Sequence, residues 1–238
     1  MVFKFDIYSL QARLVPALLV IAPVILGLVA WFPQKFQGWN LLVALVPGLG
    51  LAVLLAHLAR DLGKKKEHKL FAKWGGIPTT QFLRHRDESL DATTRRRYHG
   101  KLAALAGLIA LPLFAEEQED PEKADHLYNS VVRLLREKTR DKNRFGLVFA
   151  ENVNYGLRRN LWGMKPAGIL VSLIGLTVCI GAVLFDYVEK DSIQPIAIIS
   201  VIINTTMLTW WVLRITPSWV RLAADAYADR LLATCDDL

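Results

Sequence analysis

Only two cysteines occur in the 238 residues, Cys179 inside an apolar run and Cys235 near the end. They form no CxxC pair and no metal-spaced set, which excludes a disulfide framework and a zinc site and leaves two reduced thiols. The five histidines, at 57, 68, 85, 99 and 126, show no HExxH pairing and no carboxylate at ligand spacing. No P-loop, dinucleotide-binding glycine fingerprint or nucleophile elbow is present. His85-Arg86-Asp87 repeats the kinase catalytic-loop triplet, but no glycine-rich loop or strand lysine precedes it and no Asp-Phe-Gly follows. The carboxylates of the run from Glu116 to Glu122 imply no fixed oxygen geometry for a cation and read as a solvated acidic loop. The long apolar runs contain no acid and no arginine, which excludes a proton relay or a voltage sensor, and no inverted repeat on a transporter's scale is visible. The sequence supports no enzyme and asks for no cofactor.

Apolar residues are abundant: 53% of the chain, with a mean hydropathy of +0.29. Residues 14–32 are 19 positions without a charge, nearly the length needed to cross a hydrocarbon core of about 30 Å. Residues 41–59, 167–185 and 193–213 read as three further spans. A cleaved signal peptide is the rival reading of the first run, but that run is long for one and a second follows directly. The net charge of +7 is concentrated: residues 60–165 hold 22 Lys/Arg against 14 Asp/Glu, and the rest hold 7 against 8. Lys64, Lys65, Lys66 and Lys69 mark the exit of the second span, and the two short loops have one lysine each. Positive-inside bias therefore puts the middle segment and both termini in the cytoplasm. The expected fold is an all-α membrane protein of the bacterial inner membrane with four transmembrane helices. Its expected order is an interfacial segment (1–13), a hairpin (14–59), a basic cytosolic insert (60–165), a second hairpin (166–214) and a cytosolic amphipathic tail (215–238).

Within the insert, Trp74-Gly75-Gly76-Ile77-Pro78 must turn, and residues 79–86 suit a short helix. Asp91 is a helix N-cap for a helix from 92 to about 110, and the 13-residue apolar run 102–114 is too short to span and reads as a buried core helix. Asp120-Pro121 starts another helix to about Thr139, with Leu127, Val131, Leu134 and Leu135 on its apolar face.

The stretch from Arg84 to Lys101 carries six Lys/Arg against three Asp/Glu, with Tyr98, His85 and His99 interleaved. A helix N-terminus offers free N–H groups and partial positive charge; Arg84, Arg86, Arg95, Arg96, Arg97 and Lys101 beside it would hold phosphate, and Tyr98 would stack on a base. A solvated or lipid-facing charged face is the competing reading, with Asp91 and Arg95 as an i,i+4 pair. Arg158 and Arg159, with Lys165, either anchor the third span or couple ligand contact to it. In the fourth span Ser200, Asn204, Thr205, Thr206 and Thr209 bring polar groups into an apolar helix. They serve either interhelical hydrogen bonds or a pore lined by Asn204, Thr205 and Thr209 from several copies.

The layout of two spans, a basic insert of about a hundred residues and two more spans, with the segments WGGIPTTQFLRHRD and YGLRRNLWGMK, resembles small membrane effectors of bacterial anti-phage systems, in particular the Hailong type. That resemblance implies a homo-oligomeric ion channel gated by a nucleotide or short single-stranded nucleic acid made by a partner nucleotidyltransferase. The alternative is a structural or scaffolding membrane protein whose insert binds a protein partner or anionic lipid.

Overall fold

The computed structural model describes residues 7–36 and 39–238; the side chains of residue 7 and of residues 39–49 lie outside what it describes. Among the described residues every regular element is helical. Helix α1 (Ile7–Ser9) runs through a π-helical turn, Leu10–Leu14, into α2 (Val15–Trp31). A 3-10 turn, Pro33–Phe36, precedes α3 (Trp39–Trp74), which is followed by α4 (Pro78–Gln81), α5 (Ala92–Leu105), α6 (Phe114–Glu119) and α7 (Pro121–Lys138). Then come α8 (Gly146–Lys190), α9 (Pro195–Leu213) and α10 (Pro217–Ala233), which ends in the 3-10 turn Thr234–Asp236.

Three helical stretches, Leu10–Trp31, Gly146–Lys190 and Pro195–Leu213, are long and apolar enough to cross a membrane. The expected third span (167–185) falls within the second of them, and the first (14–32) and fourth (193–213) overlap the other two except at residue 32 and at residues 193–194. The second, residues 41–59, lies in α3, and for its first part, 41–49, the side chains are outside the described residues. The chain divides into two compact units, Met1–Lys66 with Gly156–Val220, and Glu67–Tyr155 with Arg221–Leu238.

The first unit packs on a seam of α8. Gly168, Ser172, Gly175, Cys179, Ala182 and Asp186 recur at steps of four and three residues, and all are buried. Small residues at this spacing let helix backbones approach closely, which is how helices associate where lipid supplies no hydrophobic drive. A Cβ on Gly175 would come 2.7 Å from the Pro23 carbonyl oxygen, and one on Gly168 would collide with the Trp211 ring. The Trp31 indole N–H donates to the Val178 carbonyl at 2.9 Å. Lys165 donates to the carbonyls of Val212 at 2.9 Å and Ile215 at 2.8 Å. Val212 lies in the last turn of α9, where free carbonyls favour a cation, and Ile215 follows the C-cap residue Arg214. The loop expected over 186–192 is shorter than that: α8 continues to Lys190, and Asp186 accepts from Lys190 at 2.6 Å and from the Gln194 N–H at 3.1 Å.

The second unit has its own core. Tyr98, Leu102 and Ala103 of α5 meet Tyr128, Val131, Val132 and Leu135 of α7, together with Ala228, Leu231 and Leu232 of α10. The tail thus contributes core residues rather than only an amphipathic surface. Asp120 caps α7 through the Lys123 N–H at 2.9 Å, with Pro121 at the first helical position.

Two expectations for this unit are corrected. The helix capped by Asp91 ends at Leu105, not near 110, because Gly107 (φ +66°) takes the left-handed conformation and closes it. The Gly107 and Leu108 N–H groups donate to Ala104 and Ala103 carbonyls at 3.1 and 2.9 Å. The apolar run after it is therefore no core helix: Leu111 is buried, but Ile109 is fully exposed and Leu113 and Phe114 are largely so. The acidic stretch is not wholly a solvated loop either, since 114–119 is helical and Glu117 is buried.

Candidate functional site

The basic stretch from Arg84 to Lys101 packs back on the turn that ends α3. Gly75 (φ +80°) and Gly76 (φ +142°) turn the chain in conformations that favour glycine. Arg84 folds back onto this turn. Its Nη1 donates to the Gly75 carbonyl at 2.8 Å, while Nε and Nη2 fork onto Asp125 at 2.8 and 2.6 Å. A two-point arginine–carboxylate pair is strong and directional. Here it ties the turn to α7, and Arg84 is buried.

Arg95 is likewise occupied, donating to the Arg84 carbonyl at 3.0 Å and to the Asp87 carbonyl. It clamps the loop ahead of α5 instead of pairing with Asp91. Asp91 caps α5 by accepting from the Thr93 and Thr94 N–H groups at 3.0 and 2.9 Å, and the Thr94 N–H holds its carboxyl below the usual range. The helix N-terminus expected to attract an anion is already filled by the chain's own carboxylate. Tyr98 is buried in the core, where desolvation raises its phenol pKa, and it offers no free face to a base. Arg97 pairs with Asp236 at 3.2 Å and lies over the Tyr98 ring.

Arg86, Arg96 and Lys101 are exposed. Arg86 lies ahead of α5, and the two on the helix do not form one cluster: at about 100° per residue, Arg96 and Lys101 point about 140° apart. Arg158 donates to the Trp219 carbonyl at 2.9 Å and its guanidinium lies 4.9 Å from the Trp219 ring centre. Arg159 is buried and reaches the Asn160 side-chain oxygen at 3.3 Å, while Asn160 donates to the Ala12 carbonyl at 2.6 Å. Both arginines serve the packing of the first unit.

A polar cluster that the sequence did not announce lies behind α5. Glu117 Oε2 accepts from the Tyr128 hydroxyl at 2.9 Å and from the His85 backbone N–H at 2.8 Å. The His85 and His99 Nε2–H groups donate to the Pro112 and Leu83 carbonyls at 2.9 and 2.7 Å, and the two rings meet edge to face at 5.0 Å. Burial drives the His99 pKa down and, with Glu117 beside it, the Tyr128 pKa far up. Every member has a partner, and the cluster knits α5, α6 and α7 together. The two histidines were visible only as residues interleaved among arginines; a six-residue helix such as α6 leaves too short a periodicity to mark Glu117 as inward-facing.

In α9 the polar residues divide between two faces. Ser200 and Asn204 are buried, and the Asn204 amide donates to Cys179 Sγ at 3.2 Å. Thr205, Thr206 and Thr209 are exposed and donate to the carbonyls four residues back at 2.8, 2.9 and 2.9 Å. Asn204 does not share an outward face with Thr205 and Thr209. Among the described residues no group of three or more His, Cys, Asp or Glu is placed to hold a metal ion. No family model, curated protein or solved structure matches this chain.

Proposed function

We propose that the chain is a self-associating membrane effector of the bacterial inner membrane with cytoplasmic termini. In this reading several copies form an ion-conducting or membrane-perturbing assembly, and a phosphate-bearing signal acts on the second unit. The observation that carries the reading is the outward face of α9: a membrane-length helix exposes the hydroxyl-bearing side chains of Thr205, Thr206 and Thr209 beside Ile198, Ile202 and Val212. Threonines turned towards copies of the same helix would give a pore a lining that lipid does not require. Arg86, Arg96 and Lys101, exposed on the second unit, are the groups that would meet the signal. The resemblance in layout to anti-phage effectors supplies its class, a nucleotide or short oligonucleotide from a partner nucleotidyltransferase. The test is ion flux from liposomes holding the full chain, with and without such ligands. Flux that responds to none of them would remove the gated-channel reading.

A second reading, a scaffolding membrane protein, is favoured by a different observation. Arg84, Arg95 and Arg97 are engaged within the fold and Tyr98 is buried, which leaves few free groups for phosphate. It expects charge reversal at Arg86 and Arg96 to change captured proteins or lipid binding with conductance unaffected.

A further inference from the structure

Two fully buried side chains of the first unit carry polar atoms that meet no partner among the described residues: the Ser172 hydroxyl on α8 and the Trp211 indole N–H on α9. Both depart from their kind. Thr177, Ser200, Thr205, Thr206 and Thr209 each donate to the carbonyl four residues back. The Trp31 indole donates to the Val178 carbonyl. An unpaired buried donor is costly, and in a membrane-length helix no bulk water is at hand to relieve it.

The two atoms belong to one place. Gly168 and Gly175 flank Ser172 on the small-residue seam of α8, one turn to either side. A Cβ on Gly168 would collide with Trp211 at Cε2, the ring carbon bonded to Nε1. Gly175 faces Pro23 of α2, and Gly27 of the same helix faces Val178, so α2 and α8 run side by side in one direction and Leu19 stands level with Ser172. Leu19 also packs against the core cluster that holds Trp211. Pro23 lies inside α2 and has no N–H, so the Leu19 carbonyl loses its helical donor. Pro16 takes the helical donor from the Ala12 carbonyl in the same way, and there the Asn160 amide replaces it at 2.6 Å. At Leu19 the facing donors are Ser172 and Trp211, and neither bonds it. Two donors and one acceptor thus stand unpaired where α2, α8 and α9 meet.

We propose that this junction binds a water molecule that joins the three helices. The water accepts from the Trp211 indole N–H and the Ser172 hydroxyl and donates to the Leu19 carbonyl, three bonds of the kind that hold a buried water in place. Ordered water is one of the means by which a membrane helix tolerates an interior proline. The junction is then a wet joint, at which α2 bends without leaving a backbone group bare. The inference goes beyond the reading above and needs neither its ion flux nor its ligand: a chain that conducts nothing would still hold this water.

The test is proton-detected NMR of the full chain in lipid nanodiscs with isotope-labelled tryptophan. It reads magnetisation transfer from water to each of the seven indole N–H groups, and Trp211→Phe assigns the Trp211 signal. Transfer to Trp211 is expected although its side chain is fully buried. Ser172→Val puts a methyl group where the hydroxyl stood and should abolish that transfer. Pro23→Ala returns an N–H to the Leu19 carbonyl, takes the acceptor from the water, and should abolish it too. Thr177→Val, at an exposed hydroxyl of the same helix, should leave it unchanged. In the unaltered chain, a Trp211 signal that receives transfer from acyl chains and none from water overturns the site, whatever the variants do. Water transfer that survives both Ser172→Val and Pro23→Ala overturns it as well, since the water would then reach Trp211 without these partners.

Discussion

Arg84 and Asp125 meet as a fork, Nε on Oδ1 at 2.8 Å and Nη2 on Oδ2 at 2.6 Å, and the same guanidinium holds the Gly75 carbonyl. The Arg84 side chain is 10% exposed and that of Asp125 27%. The pair is partly dry, so removing one partner strands a charge. Arg84→Ala should destabilise the second unit by about 3 kcal/mol. Arg84→Lys keeps the charge but loses the fork and should cost about 1–2 kcal/mol. Arg96→Ala, at an exposed position, should stay within about 0.5 kcal/mol. Denaturant titration read by hydrogen exchange in residues 67–155 separates the three, and equal losses at Arg84 and Arg96 would contradict the assignment of Arg84 to the fold.

Two glycines in this unit should respond in opposite directions. Gly76 has φ +142°, and a Cβ there would come 2.6 Å from Arg84 Nη2. Gly76→Ala should therefore lose about 1–3 kcal/mol, through backbone strain and displacement of the guanidinium. Gly100 lies inside α5, and a methyl group added there would meet nothing within 4 Å. Gly100→Ala should gain about 0.5–1 kcal/mol, because alanine gives up less chain entropy in a helix. Thermal melts of the two variants in one detergent test the pair.

The features legible in the sequence were those set by local rules. Asp91 and Asp120 announced their helices because a capping carboxylate acts within three residues. The apolar lengths of α2, α8 and α9 read directly as membrane-crossing helices. Partners distant in the chain did not read at all. An arginine next to a helix N-terminus looks the same whether it waits for phosphate or, like Arg84, binds a carboxylate 41 residues away. Tyr98 looked like a stacking group because the burial of one face of α5 depends on α7 and α10. The seam of α8 was present as small residues at steps of four and three, but uniform hydrophobicity hid it: in an apolar run, residue size rather than polarity marks the packed face.

Acid should weaken the second unit through His99. The ring is half-buried, donates from Nε2 to the Leu83 carbonyl, and faces His85 and Arg95, which disfavour its protonation, and Glu117, which favours it. Burial is the largest cause and its folded pKa lies below the ordinary value of about 6.5. The unfolded chain therefore takes up the proton first as pH falls. The contribution is fully present above about 6.5 and is lost as pH drops from there through the folded value. His99→Gln keeps an N–H donor in the ring's place but cannot titrate, so the fall in stability below about pH 6.5 should flatten. An unchanged slope would assign the acid sensitivity to other groups.

The two faces of α9 make separable predictions. Thr205 and Thr209 point outward, and each hydroxyl is satisfied by the carbonyl four residues back, so neither is needed to hold the protomer together. Thr205→Val with Thr209→Val keeps the side-chain shape and removes both hydroxyls. Melting in detergent should stay within about 0.5 kcal/mol of the starting chain, whereas liposome flux should fall if these groups line a pore. Asn204 is the reverse case. It is fully buried and its amide donates to Cys179 across the α8–α9 seam, and interhelical contacts of this kind are worth about 0.6 kcal/mol on average, with a cavity cost added on truncation. Asn204→Ala should lower the melting temperature and leave flux per folded assembly unchanged. If Asn204→Ala abolishes flux in well-folded protein while the threonine pair does not, ions cross along the seam inside each protomer, and the outward face of α9 is turned to lipid.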